Sequence, residues 1–408
     1  MRFFTLLTTI TLFSSTLLFA GEDGFTIGGA MRYNIIATNY ESDNKPDNTK
    51  FTFDTWRLNV DGEKDGIGLS FEYRFYPTFA THFIHHGYLS YNFGENTQMQ
   101  LGATQVPFGI TPYASHSWWF QIPYYVGLED DYDMGVKFDL KPMENLEMQI
   151  AYFRQSEPEG PYYGGLSTFG NSGPGRYSYD ITPDAGNGKS IKEMDQGNIR
   201  AAYKVNENIE IGASGQVGAI YNSVLEGTQL SYAGAGHVVA KFGSFDFKGE
   251  YIRYNYKAKD DNGDIMKTVP MGAYGSIYPV AAKADIICAG LAYSMPVELG
   301  PISNIQPYID YSLLSKANED FENTHHLIPG MLVTSGSVYT YIDFALGKNQ
   351  PWLTDSFGTG LGKGMTYATD VDEDRVNYTD DASKAGEPVP VSDLDWNMRF
   401  NINIGYYF

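Results

Sequence analysis

The residues that could do chemistry fall into a few groups. His82, His85 and His86 lie close together in the chain, and His325 and His326 form a second pair. Imidazoles at such spacings can hold a transition metal. Both groups fall near the ends of extended segments on different walls, so a rim position is expected and no metal is assigned. Serines, histidines and acids occur throughout, but no spacing sets a nucleophile beside a base. The stretch Gly358, Gly360, Gly362, Lys363, Gly364 superficially suggests a phosphate loop, and Phe357 and Gly364 break that pattern. Asp260, Asp261 and Asp264, and Asp370, Asp372, Glu373 and Asp374, lack calcium-loop spacing and read as solvated surface. No catalytic residue, cofactor or metal is therefore expected, and the chain does not read as an enzyme.

A different kind of site is legible in residues 107–132. This stretch carries Tyr113, Trp118, Trp119, Phe120, Tyr124 and Tyr125, stiffened by Pro107, Pro112 and Pro123, and then the acids Glu129, Asp130 and Asp131, with Asp133 just beyond it. Arg32, Arg57, Arg74 and Arg399 sit on the polar faces of alternating segments elsewhere. Acids facing arginines across a narrow aqueous passage would set up a transverse field that sorts solutes by charge and dipole. The aromatic planes could instead stack on sugar rings. Ordinary salt bridging and loop packing are the simpler readings of both features.

The elements that must position these groups are strands. Residues 397–408 alternate without a break: Met398, Phe400, Ile402, Ile404, Tyr406 and Phe408 on one face, Arg399, Asn401, Asn403, Gly405 and Tyr407 on the other. A polar face bearing arginine suits water, and an apolar face ending in aromatics suits lipid. The same pattern recurs at 25–38, 51–61, 67–75, 82–93, 97–105, 134–140, 146–152, 199–205, 209–221, 230–242, 245–256, 283–294, 305–313, 327–334 and 338–346. Short and long connections alternate almost throughout, the long ones being 39–50, 107–132, 156–195, 257–282 and 347–393. That rhythm predicts an all-β, transmembrane antiparallel β-barrel of about sixteen strands. Closure is required, because an open edge cannot leave backbone groups unpaired in lipid. The segment near 327 is the weakest, since Pro329 and Gly330 interrupt it.

Composition agrees. Aromatics reach 15%, with 32 Tyr and 25 Phe, beside 44 Gly and only 19% charged residues. Residues 1–20, with Arg2, an apolar run and Ala20, read as a secretory signal peptide, leaving 21–408 as the barrel domain. Cys288 stands alone, so no intrachain disulfide is possible. A formal charge of −21 rules against nucleic acid as a partner. Acidic loops would instead face outer-membrane lipid and lipopolysaccharide bridged by divalent cations.

With Val106, Pro107, Phe108 and Gly109 at the entry of the third long loop and Phe408 at the terminus, the chain resembles porins of the phosphate-selective porin O and P type. The resemblance implies a sixteen-stranded barrel, a homotrimer, and the third extracellular loop folded inward as the constriction. Phosphate selectivity in that family depends on basic residues in the constriction. Residues 108–132 hold no Lys or Arg, so that preference is not carried over. The expected function is an outer-membrane porin, a channel for passive diffusion of small hydrophilic solutes and ions. A substrate-specific porin for sugars or anions is the alternative, and a barrel enzyme or surface-binding protein the alternative of another class.

Overall fold

The computed structural model describes residues 24–40, 49–160, 173–354, 360–361 and 396–408. The expected signal peptide and most of 358–364 and of the loop 347–393, including its acidic cluster, lie outside these residues. In chain order the strands are β1 (Gly24–Thr38), β2 (Thr49–Lys64), β3 (Ile67–Tyr76), β4 (Thr81–Asn92), β5 (Thr97–Gln105), β6 (Tyr132–Met143) and β7 (Leu146–Ser156). Then come β8 (Asp180–Ile181), β9 (Ile191–Asn206), β10 (Ile209–Asn222), β11 (Gly227–Phe242), β12 (Phe245–Tyr256), β13 (Thr268–Ala273) and β14 (Ser276–Ala281). The last are β15 (Lys283–Tyr293), β16 (Met295–Leu299), β17 (Ile302–Lys316), β18 (Thr324–Ser335), β19 (Val338–Lys348) and β20 (Asn397–Tyr407).

Seventeen of these form one sheet, and β15 and β16 follow one another in a single stave, giving the sixteen-stave closed antiparallel barrel the alternation predicts. The seam is the terminal segment. β20 pairs with β1 from Ala30↔Tyr407 to Thr38↔Arg399, and the Phe408 N–H donates to Gly29 O at 3.1 Å. Large apolar side chains such as Ile27, Phe51, Leu101, Val217 and Ile287 remain exposed on the outer face. In water such a surface would be a liability; against lipid it is the required solvent contact.

Two β-bulges change what the lumen receives. In β1–β2 the register moves from Arg32↔Thr55 to Tyr33↔Phe53, so Asp54 is the extra residue. Strict alternation would put Asp54 on the lipid side; the bulge turns it inward, where it is buried beside Arg32. In β3–β4 the register moves from Glu72↔His86 to Tyr73↔Ile84, which leaves His85 unmatched and turns it inward too. The doubtful segment at 327–334 is a full strand, β18. Its ladder to β19 skips Ile328 and Pro329, where proline has no N–H to give.

Two loops read as irregular contain a second sheet. Strands β13 and β14 form a hairpin across Tyr274 and Gly275, both with positive φ (51° and 76°), and β8 pairs with β13. All twelve residues of β13 and β14 are buried. A strand covered on both faces has no polar alternation, which is why the sequence pattern passes over it. Its Met271, Tyr274 and Tyr278 pack in one apolar cluster with Phe83 of β4, Phe153 of β7, Tyr254 of β12 and Ile328 of β18. The inner sheet therefore fills barrel interior between staves on opposite sides.

Candidate functional site

The loop between β5 and β6 spans residues 106–131, closed at its base by the Val106 N–H donating to Asp131 O at 2.8 Å. From there it reaches staves that lie across the barrel. Arg200 Nε of β9 donates to Gly109 O at 2.7 Å, and the Gly109 N–H donates to Ser214 Oγ of β10 at 2.8 Å. Glu250 of β12 accepts from Ile110 N at 3.0 Å, and Lys248 Nζ donates to the carbonyls of Tyr113 and Ser115, both at 2.8 Å. On β17, Asp310 accepts from the backbone of His116 and Ser117, and Ser312 Oγ accepts from Ile122 N at 3.1 Å. A loop leaving the fifth stave can meet the thirteenth only through the lumen. These contacts give the loop its inward course. A 3-10 turn over Ile122–Val126, wholly buried, packs it against the inner sheet, where Tyr278 OH donates to Tyr125 O at 2.5 Å.

The four arginines occupy neighbouring staves β20, β1, β2 and β3. Their ion-pair partners are wall carboxylates that sequence reasoning did not single out. Arg32 Nε lies 3.0 Å from Asp54 Oδ2. Arg74 pairs with Glu72 Oε1, and Arg57 Nε stands 3.7 Å from Glu72 Oε2. Asn59 Nδ2 donates to the same carboxylate at 2.6 Å. Aromatic faces cover the guanidinium groups: Arg399 lies 4.6 Å from the Trp119 ring centroid, Arg32 6.0 Å from Trp118, Arg57 5.2 Å from Tyr407 and Arg74 4.5 Å from Tyr177. Trp118 and Trp119 thus do meet the arginine wall. Trp119 is buried, Tyr113 and Trp118 are half-buried, and Phe120 stacks on Tyr124 with centroids 4.1 Å apart.

The loop acids are held differently. Glu129 Oε1 accepts from Ala114 N at 3.1 Å. Asp130 accepts from Tyr177 OH at 2.5 Å and from Gln105 Nε2 at 3.2 Å. Asp131 converges with Asp133 and Asp180. Among the described residues no ion pair joins Glu129, Asp130 or Asp131 to Arg32, Arg57 or Arg74. Burial, with Glu250 nearby, pushes the Glu129 carboxyl well above the usual range. Burial pushes Asp130 up to about 6, against the pull of the Tyr177 hydrogen bond and of Arg74.

His85 and His86 are brought together with Glu72, and His85 Nδ1 lies 2.9 Å from His86 Nδ1. Arg57 and Arg74 already neutralise that carboxylate, which makes the trio a poor cation site. His82 contacts Tyr73, and His325 and His326 stand apart on β18. Cys288 is buried on β15.

No protein-family model and no curated protein matches this chain. Solved structures do match its fold. An anion-selective porin from Comamonas acidovorans has 11% identity and a TM-score of 0.55, over 95% of this chain and 100% of that one. The outer membrane channel DcaP of Acinetobacter baumannii has 12% identity and a TM-score of 0.54, over 96% and 100%. OmpT of Vibrio cholerae, an outer membrane protein in a trimer form, has 11% identity and a TM-score of 0.51, over 95% and 100%. The fold is that of the porin-type outer-membrane barrels. The narrower likeness to phosphate-selective porins O and P rests on the sequence features alone.

Proposed function

We propose that the protein is an outer-membrane porin, exported by its first twenty residues, that lets small hydrophilic solutes and ions diffuse through a barrel lumen narrowed by the crossing loop 106–131 and the arginine wall it packs on. The observation that carries this reading is the loop's anchorage on β9, β10, β12 and β17, which leaves Trp118 and Trp119 against Arg32 and Arg399. Arg32, Arg57, Arg74 and Arg399 supply the fixed positive charge, partly offset by Asp54 and Glu72. On the loop side Asp130, held by Tyr177 and Gln105, offers the facing carboxylate. The resemblance to trimeric porins supports a homotrimer in contact with lipid and lipopolysaccharide. Single-channel recording in planar bilayers tests the reading: discrete conductance steps are expected, and their absence in folded protein would sink it.

A second reading is a porin specific for anions or sugars. It is favoured by the packed inner sheet, which narrows the interior, and by guanidinium groups laid against aromatic rings. A similarly folded barrel is itself named an anion-selective porin. Phosphate or a maltooligosaccharide added to one chamber separates the two readings: concentration-dependent block of the chloride current supports specificity, and unblocked current supports general diffusion.

A further inference from the structure

A cluster of buried acids lies where the base of the crossing loop meets the inner sheet. Asp131 ends the loop, Asp133 opens β6, and Asp180 sits on β8. Carboxylate oxygens of all three lie within 4.8 Å of one another, and the residues are 6%, 3% and 1% exposed. Asp131 Oδ1, Asp133 Oδ1 and Asp180 Oδ2 receive no hydrogen bond. The cation in contact is Arg176, whose Nε stands 3.1 Å from Asp180 Oδ2.

A fourth buried acid lies beside Asp180. Glu157, 2% exposed, uses Oε1 to accept from Ser178 N at 2.7 Å, while its Oε2 receives no hydrogen bond. Its carboxyl group is close enough to that of Asp180 for the two charges to repel. Two buried carboxylates side by side repel and lack solvent, so a cation between them would be favoured. Glu193 adds a fifth acid, its Oε1 accepting from Ile181 N at 2.6 Å. Four buried acids and the half-buried Glu193 face one guanidinium, an excess of negative charge that a further cation would offset.

We propose that Asp131, Asp133 and Asp180, with Glu157 as a fourth carboxylate, bind a divalent cation of the calcium class. The donors are all oxygen, with no sulfur or imidazole among them, which suits a hard cation. Calcium accepts six to eight oxygens in loose geometry, whereas magnesium keeps several waters, and these carboxylates are buried. Burial beside Asp133 and Asp180 raises the Asp131 carboxyl well above its usual range, and burial beside Asp180 does the same for Glu157. Protons are therefore the cation's competitors, and binding weakens with acid. A bound ion would staple the crossing loop, β6 and β8 together and fix the inner sheet in the barrel. The site does not depend on the channel reading, since binding is measured without conduction.

The test uses the purified full chain in detergent at neutral pH, with terbium as a luminescent stand-in for calcium. Tyr132, next to two of the ligands in the chain, and Tyr256, which feels Asp131 and Asp180, can sensitise its emission. Saturable emission displaced by calcium is expected. Affinity should fall roughly 10-fold or more in Asp133→Asn and Asp180→Asn, and stay unchanged in Asp264→Asn on an exposed loop. Absence of saturable emission, or equal affinity in both folded site variants, would overturn the proposal and leave protons as the balancing charge. Should neither variant fold, the wild type decides: a melting midpoint raised by calcium and lowered by chelator supports the site, and a midpoint indifferent to both overturns it.

Discussion

Asp310 of β17 grips His116 of the crossing loop twice. Its Oδ2 accepts from the His116 backbone N–H at 2.7 Å, and its Oδ1 lies 2.8 Å from His116 Nδ1. The Ser117 N–H adds a third bond to Oδ2 at 2.8 Å. Asp310 is 1% exposed, so nothing but these partners replaces the water it has lost. This carboxylate is the far-wall anchor that turns a long loop into a fixed crosspiece.

Replacing Asp310 with alanine should therefore cost about 3–5 kcal/mol, as expected when one partner of a buried charged network is removed. Asp310→Asn, which keeps an acceptor, should cost less. Denaturant unfolding of the detergent-solubilised barrel measures both. Equal stability of wild type and Asp310→Ala would remove the anchor from the account.

The same contact should respond to pH. Burial alone would lower the His116 pKa, but the Asp246 carboxylate 3.6 Å away and the bond to Asp310 outweigh burial and the opposing Lys248, and the pKa is raised. A raised histidine pKa contributes stability that is complete below the unfolded value, about 6.5, and is lost as pH rises through the folded value. Loop anchorage should thus weaken on the alkaline side, seen as growing open-channel noise. His116→Gln should flatten that dependence; an unchanged pH profile would count against the imidazolium.

Arg57 and Arg74 should separate selectivity from stability. The Arg57 side chain is 23% exposed and stands 3.7 Å from Glu72, whereas that of Arg74 is 8% exposed and in direct contact with it. Arg57→Gln should shift the reversal potential toward cations, by roughly 2-fold or more in permeability ratio, with little change in stability. Arg74→Gln strands a buried carboxylate and should cost about 3–5 kcal/mol. Changing both should shift selectivity further toward cations, and an unmoved reversal potential would refute the fixed-charge role.

Cys288 offers a simple probe of the packed interior. It is 3% exposed and lies opposite Glu250, the residue that accepts from Ile110 of the crossing loop. A water-soluble maleimide should leave it unmodified in the folded barrel and label it fully after denaturation. Rapid labelling of the native protein would show that the lumen is open at this level.

Sequence alone determined the closed barrel, because lipid outside and water inside impose a two-residue period that every stave must obey. Met398 to Phe408 show that period along the seam, and Ile27, Leu101 and Ile287 show it elsewhere on the outer face. The same period also made Arg32, Arg57, Arg74 and Arg399 legible as lumen residues, and the aromatic content of 107–132 marked a loop too apolar to sit in water. What pairs with what was settled only by tertiary structure. Asp54 and His85 reach the lumen through bulges, which break the parity that sequence reading relies on. Asp310 meets His116 from 194 positions away, and Asp180 meets Asp131 from β8, a buried strand of two residues too short to show alternation. Periodicity reports the solvent on each side of a strand; it holds no information about which distant side chains share the inside.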